Sequence, residues 1–219
     1  MDPCFRGGDG KDRLGVRRNL FALLFCATVA TAAAPPPAGP DLARVERYLN
    51  DIRSLKAEFI QVAPDGVVTE GKVTMERPGK LRFEYQPGVP ILVVADGATL
   101  TFVDYDVKQV TRWPISETPL GILVAKTINL TKALTVTTRH GEDGLLRVVV
   151  VDPKKTDQGY ITLIFEDPPL TLRAWEVTDP QGYVTRVTLV NPVTNTDVPD
   201  KLFTFNDPRT LPFKKIGPR

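Results

Sequence analysis

From Leu55 onward the apolar residues of this chain recur at every second position, and the alternation returns in segment after segment to about Phe205. Leu55, Ala57 and Phe59 alternate with Lys56, Glu58 and Ile60; Val73 and Met75 alternate with Lys72, Thr74 and Glu76; Leu81, Phe83 and Tyr85 alternate with Lys80, Arg82 and Glu84. A period of two sends successive side chains to opposite faces of a strand, so each segment predicts a strand with one buried and one wetted face. Further strands are expected at 91–95, 100–103, 109–113, 134–138, 145–151, 160–166, 172–178, 184–190 and 202–205. Turn signals stand between them, among them Pro64-Asp65-Gly66, Asp96-Gly97, Glu142-Asp143-Gly144 and Pro180-Gln181-Gly182. Strands at such regular spacing predict an antiparallel sandwich or barrel.

Two segments keep a helical period. Asp41 can cap a helix that places Leu42, Val45, Leu49 and Ile52 on one face and Arg44, Glu46, Arg47, Asn50 and Asp51 on the other. Later, Thr118-Pro119 sets a capping hydroxyl before a proline at the first helical position, and Leu120, Ile122, Leu123, Val124 and Ala125 make the following turns apolar on most sides. A helix this apolar must be covered. Both helices therefore offer apolar surface to one opening of a curved sheet, and periodicity leaves open whether the space between is packed or hollow.

Ahead of the domain, Arg17-Arg18 precede an apolar run from Leu20 to Ala30, and Ala30-Thr31-Ala32 offers a cleavage site. Residues 1–32 are expected to be a secretory signal peptide, the run being well short of the ~20 residues that cross a bilayer. A Pro/Ala-rich linker at 33–40, a domain at 41–207 and a basic tail at 208–219 with Lys214, Lys215 and Arg219 complete the expected organisation. The leader takes five of the 28 basic and three of the 26 acidic residues, which leaves the remainder neutral and without the basic footprint of a nucleic-acid binder. It also takes both cysteines, Cys4 and Cys26. Disulfides, zinc–thiolate sites and cysteine nucleophiles are thereby excluded from the domain.

Little in the domain suggests catalysis. His140, the single histidine, precedes a turn with no identifiable nucleophile and is expected to be an exposed bystander. Asp104 and Asp106 flank a turn and are expected to cap its backbone rather than hold a cation. No glycine-rich loop opens a helix behind a strand, so nucleotide binding has no support. No enzyme, metal or cofactor is expected. Phe59, Phe83, Tyr85, Phe102, Trp113, Phe165, Trp175, Phe203 and Phe205 are spread over most strands, as in any β core. Arg77-Pro78 puts a guanidinium at the rim of the Leu81–Phe83 face, where it could donate to free carbonyls at a helix end across an opening; an ordinary solvated turn arginine is the alternative.

Four stretches, SLKAEFIQ (54–61), GKVTMERPGKLRFEY (71–85), ILVVADGATLTFVDYDVKQV (91–110) and TPLGILVA (118–125), follow the order and spacing of the LolA family, which this chain resembles from about residue 41 to 207. The resemblance implies a mainly β fold, an incomplete antiparallel β-barrel of about 10–11 strands closed by a small α-helical lid over a hydrophobic cavity. It implies that Arg77 latches the lid through backbone carbonyls near Leu49 and Val124-Ala125. Lipid-binding cavity positions would be Phe59, Val73, Met75, Leu81, Phe83, Tyr85, Leu100, Phe102, Leu120 and Leu123. It further implies a monomeric periplasmic chaperone without cofactor, which takes acylated lipoproteins from an inner-membrane lipoprotein-releasing ABC transporter to an outer-membrane acceptor. A carrier or sensor of another lipid or glycolipid is the alternative. The sequence departs from the family pattern at Gly79-Lys80 and in the weakly helical stretch 126–132.

Overall fold

The computed structural model describes residues 39–131 and 135–210. The expected leader, most of the linker and the last part of the tail, with Lys214, Lys215 and Arg219, lie outside the described residues. Helix α1 (Pro40–Asp51) buries Leu42, Val45 and Leu49 along one stripe. Gly39 precedes its first turn and Pro40 opens it, so the helix begins one residue before the expected domain start. Asp41 is not the cap. It sits one position inside the helix, and its carboxylate turns outward to Arg44 and His140 instead.

The alternating segments become strands β1 (Ser54–Val62), β2 (Val68–Glu76), β3 (Lys80–Tyr85), β4 (Ile91–Asp96), β5 (Thr99–Asp104) and β6 (Gln109–Pro114). After the segment that holds the one-turn helix α2 (Gly121–Val124) come β7 (Thr135–His140), β8 (Leu145–Val151), β9 (Tyr160–Glu166), β10 (Thr171–Thr178) and β11 (Val184–Thr194). They form one antiparallel sheet in the order β6-β5-β4-β3-β2-β1-β11-β10-β9-β8-β7. Only the β1–β11 pairing joins strands distant in sequence; it runs from Leu55 opposite Thr194 to Val62 opposite Arg186, with a register shift between Lys56 and Glu58. A second shift separates Leu172 from Ala174 on β10. Such irregularities bend strands and increase twist. Because β6 and β7 do not pair with each other, the barrel stays incomplete.

Register decides which face is inside. Phe59, Val73, Leu81, Phe83, Trp175, Val187 and Leu189 share the inner core with the apolar stripe of α1, whereas Leu92, Val94 and Val103 face outward and are covered by Val198 and Phe203. The expected strand at 202–205 is corrected here. A 3-10 turn spans Asp200–Phe203, and Arg82 takes the Leu202 and Thr204 carbonyls that a strand partner would need. The apolar alternation there serves packing onto the outer face of β4 and β5.

The first turn of α1 is clasped to two neighbouring turns. Arg44 grips Asp167 in the β9–β10 turn with two bonds of 2.7 and 3.1 Å, and His140 at the end of β7 lies 2.8 Å from Asp41. His140 is thus a partner of the helix and not the bystander its sequence position suggested. The Arg44 hydrogen bond holds the Asp167 carboxyl below its ordinary range. A carboxyl whose native pKa is depressed contributes stability above its unfolded value, near pH ~4, and loses that contribution as pH falls through the native value. Asp167 is accordingly expected to titrate below a peptide aspartate by carboxyl NMR, and Arg44→Ala to return it toward the peptide value.

Candidate functional site

Arg77 stands at the β2–β3 turn, its own N–H bonded to the Arg53 carbonyl at 2.8 Å. From there the guanidinium reaches across the barrel opening. Nε donates to the Leu123 carbonyl of α2 at 2.9 Å, and Nη1 donates to the Leu49 carbonyl in the last turn of α1. Helix C-termini present unpaired carbonyls and the negative end of the macrodipole, which suits a cation. Burial pushes the Arg77 guanidinium down to about 10, so it remains charged at neutral pH, and no carboxylate among the described residues offsets that burial.

The second set of partners differs from expectation by one residue. Leu123, rather than Val124 or Ala125, accepts from Arg77, while the Val124 carbonyl accepts from Gly79 N–H at 2.7 Å. Ala125 takes no bond from the arginine; it packs against the core edge. Gly79 is required by this arrangement. Its φ is +76°, and a Cβ would lie 2.2 Å from the Gly97 carbonyl oxygen. Thr118 also behaves differently, since its hydroxyl donates back to the Ile115 carbonyl at 2.9 Å and caps nothing ahead of it. The preceding 3-10 turn, Ile115–Glu117, offers that carbonyl first, and α2 shrinks to Gly121–Val124.

Two residues of α1 expected on its solvent side form the other half of the lid. Asn50 Nδ2 donates to the Ile128 carbonyl and its Oδ1 accepts from the Ile128 N–H, both at 2.9 Å, as a neighbouring strand would. Glu46 accepts from the Leu130 N–H at 2.8 Å. The 128–130 stretch, part of what the sequence reads as weakly helical, forms no helix and is stitched to α1 by side chains instead. Asn50→Ala removes two cross-element bonds worth about 1 kcal/mol each. Exchange of the Ile128 amide is expected to accelerate by roughly thirtyfold, with the global unfolding midpoint much less affected.

Beneath the lid, Phe59, Val73, Met75, Leu81, Phe83, Leu100 and Leu123 are all buried, with Tyr85 and Leu120 packed at the margin. Phe59 meets Phe83 and Tyr85 edge to face at 5.3 Å in each case. Gly71 makes room for this ring, because a Cβ there would fall 2.8 Å from its Cε1. Phe102 is the exception: it packs in neither core cluster. Leu100 lies beside the Ala98–Ile115 backbone bond, where the chain turns back over the sheet, and Phe102 lies two residues beyond that cover. Leu172, Ile52 and Ile128, which are not among the expected cavity positions, join the interior, and so does Trp175, which the sequence reads as a general core aromatic. Only the inward register of Trp175 on its strand could have flagged it.

Directly beneath Arg77 the interior is packed. The void under the latch, bounded by Leu49, Met75, Arg77, Leu81, Leu123 and Trp175, measures about 10 Å³, the size of one water at most. An open apolar groove of about 330 Å³ lies alongside, between the α2 segment and the β8–β9 turn, and Lys155 bridges it to the Ser116 carbonyl. The arrangement sets one guanidinium between two helix-end carbonyls at the mouth of an apolar interior.

The family model described as "Outer membrane lipoprotein carrier protein LolA" matches residues 50–206. The chain belongs to the LolA family. An outer-membrane lipoprotein carrier protein of Chromobacterium violaceum is 27% identical over 202 residues, covering 87% of this chain and 95% of the relative. Another, from Legionella pneumophila strain Lens, is 32% identical over 176 residues, covering 75% and 85%. A solved LolA superfamily structure from Nitrosomonas europaea superposes with a TM-score of 0.41 at 15% identity, over 74% of this chain and 97% of that one. The LolA match includes Arg77, both strands beside it and α2, but begins at Asn50 and so leaves most of α1 outside.

Proposed function

We propose that this LolA-family chain is a monomeric periplasmic carrier that shields the acyl chains of lipoproteins between the inner and outer membranes. The observation that carries the reading is the apolar barrel interior closed by a lid whose two helix ends share one half-buried cation. Each methylene kept from water contributes ~0.8 kcal/mol, so a long acyl chain exposed during the crossing would cost on the order of 10 kcal/mol. Shielding is required, and release is too. A closed state that packs its own interior competes with cargo for the same surface, so binding is the displacement of lid by acyl chain rather than the filling of a ready hole. Loading would come from an inner-membrane lipoprotein-releasing ABC transporter and unloading would go to an outer-membrane acceptor, with no covalent step.

The test is cargo selectivity. A triacylated lipoprotein is expected to co-purify with the carrier from the periplasm, whereas its unacylated Cys→Ser form is not. Equal retention of both forms would mean recognition of polypeptide, and recovery of a free glycolipid without lipoprotein would make this a carrier of another lipid.

A further inference from the structure

Among the described residues three buried side-chain atoms have no hydrogen-bond partner, Thr69 Oγ1, Thr196 Oγ1 and Trp175 Nε1, and of these only Trp175 belongs to the inner apolar core. Trp175, on β10, is 3% exposed, and its indole Nε1 has no hydrogen-bond partner among the described residues. Buried tryptophans normally place that N–H against an acceptor, and an unmade bond in an apolar interior is unfavourable. The ring is held edge to face against Phe83 at 6.1 Å, and it lines the void below Arg77. The remaining walls, including Leu49, Ile52, Leu55, Val73 and Leu81, offer side chains with no hydrogen-bonding groups. An apolar site with one or two placed polar groups is how proteins orient an amphiphile.

We infer that Trp175 Nε1–H is the hydrogen-bond donor for an acyl carbonyl of the bound lipid, fixing the head of the chain beneath the latch. This rests on the carrier reading and adds which atom of the cargo is recognised. An acyl ester or amide brings a carbonyl acceptor attached to the apolar tail, so it can satisfy the indole in the same movement that displaces the lid. The closed state leaves the donor unsatisfied and the loaded state does not. Trp175 therefore biases the protein toward cargo, and toward acyl over alkyl chains.

The experiment compares dipalmitoylglycerol with its diether counterpart, dihexadecylglycerol, which has equal tails and no carbonyl. The carrier is expected to bind the diester about tenfold more tightly, the effect of one hydrogen bond. Trp175→Phe is expected to bind the two equally. Because loss of ring volume could itself disturb the core, the protein with benzothienylalanine at position 175 is measured as well: it keeps the bicyclic shape and lacks the N–H, and is expected to abolish the preference for the diester. Equal binding of both lipids by the unaltered protein, or a preference that survives benzothienylalanine, would overturn the donor role and leave the carrier reading standing. Failure of the unaltered protein to bind either lipid, together with failure to retain triacylated lipoprotein, would instead remove the carrier reading beneath it.

Discussion

Arg77→Leu is expected to leave the barrel folded while the protein keeps its cargo and delivers it poorly. The substitution removes both bonds to Leu123 and Leu49 that hold the two lid helices to the β2–β3 turn. Bonds from a charged donor contribute about 1.5 kcal/mol each at the low end, so closure is weakened by about 3 kcal/mol, roughly a hundredfold in the closed-to-open ratio. If closure competes with cargo, a lid that no longer shuts has lost the force that expels the acyl chain. Little global stability should be lost, because a leucine among the apolar walls of the void removes a half-buried charge that no carboxylate among the described residues balances. Transfer from loaded carrier to outer-membrane vesicles, followed over time, is the readout. Normal transfer would show that Arg77 is no latch, and an unfolded variant would make it a structural residue.

Phe83→Glu is expected to act on the opposite side of the balance. Phe83 is 4% exposed and touches both Phe59 and Trp175, so the change empties part of the packed interior and introduces a carboxyl with no partner. Loss of a buried phenylalanine alone costs 3–5 kcal/mol, and burying the acid adds to it. With a total near 5 kcal/mol, the thermal midpoint should fall by roughly 10–20 °C, and any folded fraction should fail to load. Lys72→Gln, on the outer face of β2, is the contrast and should stay within about 0.5 kcal/mol. If Phe83→Glu matched the parent in stability and loading, the aromatic interior would not be where acyl chains go.

The strands were legible because burial on one face of a sheet imposes a period of two that few other constraints produce. Leu145–Val151 and Tyr160–Glu166 emerge with the bounds their alternation predicts. The helix α1 was legible from four apolar positions, but not the work of its polar face. Glu46 and Asn50 look like any solvated helix residues, and only the fold brings the Ile128 and Leu130 backbone against them. Arg77 could be located at the rim, and its partners only to within a residue, since the length of α2 was decided by Thr118 turning back to Ile115. Phe203 and Phe205 misled because alternation also arises when a coil lays every second side chain on a sheet. Whether the interior is filled depends on how far the lid descends, and the sequence carries no periodic trace of that distance.

That distance is what must change if apolar cargo replaces the lid above a void of about 10 Å³. Spin labels at Arg47 on α1 and Lys72 on the outer face of β2, both exposed, report it directly by pulsed electron resonance. On addition of triacylated lipoprotein the distribution is expected to shift to longer distances, and to return when the cargo is passed to outer-membrane vesicles. A loaded complex whose label distance equals that of the empty protein would contradict the displacement of lid by acyl chain.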